Sequence, residues 1–178
     1  MTSIKIDESK LYVYPSGGVN QAIFKPLDKL KLRANYNLSD DYFICSYISA
    51  IIDNKGWETF YLASEKLVEK NNNIHFVVVG NGSKEGAFKE KVSKNNLSSN
   101  YTFFDRVAQK KLPAFYNLSD LFIFPTHKES LGLVGVEALS CGVPVIASNI
   151  GATQEYVENG KNGYLFEVGN EIELIEKI

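Results

Sequence analysis

The stretch Asp120-Leu-Phe-Ile-Phe-Pro125-Thr-His-Lys-Glu129-Ser-Leu-Gly132-Leu-Val-Gly-Val-Glu137-Ala-Leu-Ser-Cys-Gly142-Val-Pro144-Val145 decides the fold. Leu121–Phe124 is apolar at consecutive positions, the pattern of a strand buried on both faces. Pro125 stops it and a polar loop follows. Gly132 lets the backbone turn into a helical pattern over Leu133–Cys141, and Gly142 closes that helix before a second apolar run, Val143–Ala147. Strand, loop, helix, strand in this order is a βαβ unit, which needs a parallel sheet with helices covering it.

The same alternation extends in both directions. Strands are expected at Leu11–Tyr14, Tyr42–Ile48, Ile74–Val79, Tyr101–Phe104 and Gly163–Phe166. Helices are expected at Asp28–Tyr36, Gly56–Lys70, Lys84–Asn95, Gln109–Asn117, Thr153–Val157 and Asn170–Lys177. No linker, charge block or low-complexity tract interrupts the 178 residues, which suit one domain able to bury its own core. The fold class is therefore α/β: a Rossmann-like doubly wound parallel sheet. The tetrapeptide Asn-Leu-Ser-Asp occurs at Asn37–Asp40 and again at Asn117–Asp120, each time between a helix and a strand, and reads as one αβ-loop solution used twice.

Composition narrows the function classes. A net charge of −2 opposes nucleic-acid binding, whose footprint is basic. No run approaches the roughly 20 apolar residues of a membrane helix, and Met1–Asp7 has no signal-like apolar core. Cys45 and Cys141 lie far apart in unlike contexts, which fits a reducing, cytoplasmic setting better than a disulfide framework. Neither these cysteines nor His75 and His127 show metal-ligand spacing.

Ligands of doubly wound sheets bind beyond the carboxyl ends of the strands. That singles out the loops Gly17–Asn20, Ser49–Gly56, Gly80–Gly86, Asp105–Val107, Pro125–Gly132 and Ser148–Gly151. The helix beginning after Gly132 offers unpaired amides and a positive dipole end, a ready anion site. Glu129 precedes that start and Glu137 lies about one turn inside, so the two carboxylates flank a space for a diphosphate. Each could accept hydrogen bonds from a vicinal diol; solvated surface acids would show the same spacing.

Glu129 and Glu137, with seven residues between them and followed by Ala138-Leu-Ser-Cys-Gly142-Val-Pro144, resemble the signature of family 4 of the retaining glycosyltransferases. Asp120–Pro125 resembles the family's strand leading into that motif, and Gly151-Ala-Thr-Gln-Glu155 through Gly163 the stretch after it. Tyr14-Pro-Ser-Gly-Gly18-Val-Asn20 with Phe24-Lys-Pro26, Gly80-Asn-Gly82 and Phe104-Asp-Arg-Val107 are similar to further family segments. The likeness runs from about Lys10 to the end.

The resemblance implies a two-lobed enzyme of the GT-B type, of which this chain is the C-terminal, nucleotide-sugar-binding lobe. An N-terminal acceptor-binding lobe is expected elsewhere, and the helix of Glu171–Ile178 is expected to be cut short. By the same resemblance Glu129 contacts the donor sugar and Glu137 the ribose. Amides near Ser130, Leu131, Gly132 and Leu133 hold the diphosphate, Lys55 is the phosphate-binding lysine, and Arg106 and Val107 border the base. Gly18 joins the donor site through the loop that opens the domain. His127 is read equally as a sugar contact or a solvated loop residue. No metal or cofactor is implied, because amides and Lys55 offset the diphosphate charge. The implied partners are a nucleoside-diphosphate sugar and an acceptor glycan or glycolipid, with peripheral contact at the inner membrane face through the full-length enzyme.

One departure matters: the family usually places an arginine a few residues before the lysine, in a Ser-Arg-Ile-like context, and this chain has Ser49-Ala50-Ile51, with Ala50 where the arginine is expected. A charge-assisted hydrogen bond contributes about 1.5–3 kcal/mol, so its loss would weaken donor binding about 10- to 100-fold. Ala50 thus keeps a second class in view, a nucleotide-binding or assembly module without catalysis. A third, an NAD-binding domain, rests on Gly80-Asn-Gly82-Ser-Lys-Glu-Gly86 followed by Asp105, although that spacing is one residue longer than the dinucleotide fingerprint.

Overall fold

Runs such as Phe76-Val-Val-Val79 can be apolar at every position only where both sheet faces are covered, and the computed structural model, which describes residues 18–71 and 73–178, arranges them so. Six strands, β1 (Phe43–Ile48), β2 (Ile74–Val79), β3 (Tyr101–Phe104), β4 (Leu121–Phe124), β5 (Val145–Ser148) and β6 (Gly163–Phe166), pair in parallel in the order β3-β2-β1-β4-β5-β6. The helices are α1 (Lys29–Asn35), α2 (Trp57–Lys70), α3 (Glu85–Lys94), α4 (Leu112–Asn117), α5 (Leu133–Ser140), α6 (Gly151–Gln154) and α7 (Glu171–Lys177). The core is split by the sheet. One side gathers Tyr47, Trp57, Phe60, Phe76, Phe88 and Leu174; the other gathers Ile44, Val77, Phe115, Tyr116, Phe122 and Phe124. Alternate residues of one strand thus serve opposite layers, as a period of two requires.

The expected fold class stands, and several boundaries shift for identifiable reasons. The strand expected at Leu11–Tyr14 lies outside the described residues. The strand expected at Val143–Ala147 runs instead over Val145–Ser148, because Gly142 takes φ +78° and Pro144 has no N–H to give the ladder. The helix expected at Gln109–Asn117 is a 3₁₀ turn, Gln109–Lys111, followed by α4, with Pro113 in the first turn. The helix expected at Thr153–Val157 sits earlier: the Thr153 hydroxyl donates to the Ser148 carbonyl at 2.6 Å and draws α6 back onto the end of β5.

The repeated Asn-Leu-Ser-Asp does not form one recurring loop. Asn37 is left-handed at φ 56° and exposed, whereas Asn117 is buried in the last turn of α4. The two copies converge through a third residue. Arg33, buried in α1, donates to the Asp40 and Leu118 carbonyls and to the Asp120 carboxylate.

Candidate functional site

The order of the strands reverses between β1 and β4, and a crevice opens beyond their carboxyl ends at such a switch point. Two loops border it: Ser49–Gly56 after β1 and Pro125–Gly132 after β4. They are joined backbone to backbone. The Asn54 carbonyl accepts the His127 amide at 3.0 Å and the Thr126 hydroxyl at 3.2 Å. Gly56 is left-handed at φ +69°, and a Cβ there would lie 1.8 Å from the Pro125 carbonyl oxygen, so only glycine permits this approach. From below, the buried Tyr47 phenol donates to the carbonyls of Ala50 and Lys55, at 3.1 and 3.2 Å.

This joint sets the site's central pair, in which Lys55 Nζ meets Glu129 Oε2 at 2.8 Å with both side chains about one-fifth exposed. The Ser130 amide donates to Glu129 Oε1 at 2.9 Å. Partial burial opposes ionisation of Glu129, but Lys55 and the Ser130 and Leu131 amides outweigh it and hold the carboxyl below its ordinary value. Gly132, at φ +63°, then starts α5 without a side-chain cap, leaving the first amides of that helix free of any side-chain acceptor. Leu131 and Leu133 flank the start and are exposed.

Glu137 is no solvated surface acid; it is 5% exposed. Its Oε2 accepts the Tyr116 phenol at 2.8 Å and its Oε1 the Gln109 side-chain amide at 3.4 Å. Burial raises the carboxyl above its ordinary value, and these two donors offset only part of that. A cavity of about 420 Å³ opens alongside, lined among others by Ala50, Gly80, Asn81, Arg106, Val107 and Val134. Arg106 is the only charged side chain lining it among the described residues.

The structure therefore brings Lys55, Glu129, Ser130, Leu131 and Gly132 together, sets Glu137 one turn along α5, and gathers Ala50, Arg106 and Val107 around the adjoining cavity. A Cβ at Gly18 would meet nothing within 4 Å, so the backbone there borders open space. His127 is tied down by its amide while its side chain is exposed. Trp57 is buried against Phe88 and belongs to the core. His75 stacks on Tyr42 at 4.9 Å and bonds Thr102, a structural setting. Among the described residues no three His, Cys, Asp or Glu side chains gather as a metal site, and no helix is long and apolar enough to cross a membrane.

The dinucleotide-like glycines have another explanation. A Cβ on Gly80 would lie 2.0 Å from the Ser49 carbonyl oxygen, and one on Gly82 would lie 2.4 Å from that of Ile51. Both positions serve close packing of the β2–α3 loop on the β1–α2 loop. Tyr47, Tyr116, Gln109 and Tyr156 were not singled out from the sequence, since each reaches the site through the fold. Tyr156 has the clearest trace in the chain: its ring fills the space a Cβ would need at Gly132 and at Gly135, a glycine otherwise costly inside a helix. Among the described residues its buried hydroxyl has no hydrogen-bond partner; burial, with the nearby Glu129 charge, pushes that phenol upward.

The six-stranded parallel, Rossmann-like sheet matches the fold of GT-B glycosyltransferases. The chain belongs to the family of glycosyl transferases group 1, whose model matches residues 28–178. It is 31% identical over 188 aligned positions to the capsular polysaccharide biosynthesis glycosyltransferase CapM of Staphylococcus aureus, covering all of this chain and 47% of that protein. It superposes on the C-terminal domain of the group 1 glycosyl transferase LpcC from Francisella tularensis with a TM-score of 0.81 and 25% identity, over 90% of this chain and 85% of that one. On Anabaena HepE in complex with UDP-glucose the TM-score is 0.78 with 26% identity, over 89% of this chain and 44% of that one. The chain spans less than half the length of these curated and full-length relatives.

Proposed function

We propose that this chain is the donor-binding domain of a retaining glycosyltransferase that moves a sugar from a nucleoside diphosphate to an acceptor hydroxyl. The observation that carries the reading is the Lys55–Glu129 pair, held at 2.8 Å at the switch point beside the uncapped start of α5. A diphosphate at that start would receive the free amides and share the Lys55 ammonium. Glu129, released in part from Lys55, would accept hydroxyls of the donor sugar, and Glu137 would accept those of the ribose. The base would lie in the cavity bordered by Arg106 and Val107. Neither a metal nor a cofactor is needed in this scheme, because Lys55 and the helix start balance the anion. The acceptor glycan or glycolipid would be presented by a second lobe, which would also make any contact with the inner membrane face. On this reading the chain alone binds donor but does not turn it over.

Nucleotide-sugar binding followed by ligand-observed NMR tests the proposal: UDP, GDP, ADP, their sugar conjugates and NAD are offered in turn. Selective binding of one nucleotide-sugar, abolished in Glu137→Ala, is the expected result. Binding of NAD alone would sink it. Ala50 supports a second reading, a nucleotide-binding module without catalysis, because it lines the cavity at the position where the family resemblance implies an arginine. Arg106 lines the same cavity and is placed to supply that charge. If it does, Arg106→Ala should weaken nucleotide binding about tenfold and Ala50→Arg should restore it. Binding indifferent to the sugar, and unimproved by Ala50→Arg, would favour the non-catalytic module.

A further inference from the structure

We infer that Tyr116 and Gln109 divide the Glu137 carboxylate between them, Tyr116 fixing one oxygen and Gln109 occupying the other until a ribose hydroxyl replaces it. The inference rests on the donor-site reading above and assigns two positioning residues to it.

The two donors differ in every respect that governs exchange. Tyr116 is fully buried, its ring set edge-on to Phe122 at 5.4 Å and packed on Phe24, and its hydroxyl reaches Oε2 at 2.8 Å. No ligand can displace it without opening the core. Gln109 is exposed, sits in a three-residue 3₁₀ turn, and reaches Oε1 at 3.4 Å, near the limit for an N–H donor. A ribose hydroxyl, a shorter and better-placed donor, would take its place.

The cavity lies on the correct faces for that exchange. Leu112 and Val134 both line it. Leu112 is four residues before Tyr116 on α4, and Val134 is three before Glu137 on α5, so each cavity residue shares a helix face with its partner. Gln109 precedes Leu112 by three residues, in the turn that leads into α4. The helix faces that line the cavity through Leu112 and Val134 therefore also carry Tyr116 and Glu137.

Ionisation of Glu137 is then part of recognition, since only the carboxylate accepts from Tyr116 and a diol together. Among the described residues no cation pairs with it. The titratable groups around it are Tyr116 on α4, Cys141 one turn along α5, and Tyr156 near Tyr116. Burial pushes the Cys141 thiol up to about 11, so it stays neutral wherever Glu137 titrates. Tyr116 alone of these supplies a donor that favours the charged form.

The test uses carboxyl-carbon NMR titration of Glu137 and calorimetric binding of UDP, GDP and ADP, on the parent, Tyr116→Phe, Gln109→Ala and Glu137→Gln. Tyr116→Phe keeps the ring and should move the Glu137 titration upward, and weaken binding of the preferred nucleotide about tenfold at neutral pH, with the loss shrinking as pH rises. Gln109→Ala frees Oε1 and should strengthen binding about two- to threefold. An unmoved Glu137 titration in Tyr116→Phe overturns the positioning role, a ligand-free outcome independent of the donor-site reading. Equal weakening by Gln109→Ala and Tyr116→Phe overturns the placeholder role. If the titration moves but Glu137→Gln binds nucleotide as the parent does, the donor-site reading fails, and the ribose half of the inference fails with it.

Discussion

Two ion pairs sit at opposite ends of the same two strands, β1 and β4, and they use their hydrogen-bonding capacity differently. At the amino end, Arg33 spends donors on the carbonyls of Leu118, Asp40 and Tyr42 and on Asp120 at 2.6 Å. Asp120 in turn accepts the Ile44 amide and the Lys29 ammonium, both at 2.8 Å. Four of the five guanidinium donors of Arg33 are thereby engaged, and its side chain is 4% exposed, so the guanidinium has little left to offer a ligand. At the carboxyl end, the only recorded partner of the Lys55 ammonium among the described residues is Glu129, which leaves two of its three donors for other acceptors. A saturated pair holds structure; an unsaturated pair beside a free helix start is available for chemistry.

The contrast can be broken most forcefully at Gly56. Alanine there combines left-handed strain with a Cβ driven into the Pro125 carbonyl, and should cost about 4 kcal/mol of stability by urea unfolding. Loss of both folding and nucleotide binding is expected; full retention of stability would show that the joint between the loops is looser than its geometry. Arg33→Met should come next, at about 3 kcal/mol, because the Leu118, Asp40 and Tyr42 carbonyls lose their donor and Asp120 loses one of its two cations. Nucleotide affinity per folded molecule should stay at the parent value. Lys55→Met should cost no more than about 1 kcal/mol yet lower nucleotide-sugar affinity at least about tenfold, and equal effects at the two pairs would erase the distinction.

Acidity sharpens the same comparison at smaller amplitude. Burial opposes ionisation of Asp120, but Lys29, the Ile44 amide and Arg33 outweigh it and hold the group below its ordinary value. Its contribution is therefore present above the ordinary aspartate value and lost as pH falls through the depressed one. Glu129 behaves likewise. Glu137 runs the other way: its raised value means that stability falls as pH rises from the ordinary glutamate value through the raised one. Glu137→Gln should consequently be no less stable than the parent at neutral pH, and show a flatter dependence over that interval, while losing nucleotide binding. A less stable Glu137→Gln would assign this acid to the fold instead of to a ligand.

What could be read from the chain alone follows from the range of the interactions. Phe76–Val79 and Leu121–Phe124 declare buried strands locally, because burial on two faces leaves no polar position in the run. Gly132 and Glu129 mark the helix start because its chemistry is written within a few residues. Glu137 was legible as a candidate, but its burial was not: Tyr116 and Gln109 lie 21 and 28 residues away and meet it only after α4 packs on α5. The same holds for Gly80 and Gly82, whose glycine requirement comes from Ser49 and Ile51 on the neighbouring strand's loop. The two Asn-Leu-Ser-Asp segments make the converse point. Identical letters took different conformations because Arg33 and α4 supplied unlike surroundings.

The approach of Gly56 to Pro125 has a consequence for how such a domain can diversify. The positions of Lys55 and Glu129 depend on main-chain atoms, the Asn54 and Pro125 carbonyls and the His127 amide, which no substitution can alter directly. Side chains of the neighbouring β2–α3 and β3–α4 loops carry none of those bonds. On the donor-site reading proposed above, substitutions around Asn81, Arg106 and Val107 would exchange one nucleobase preference for another while Lys55 and Glu129 keep their alignment, so new specificities would be reachable in single steps through forms that still fold.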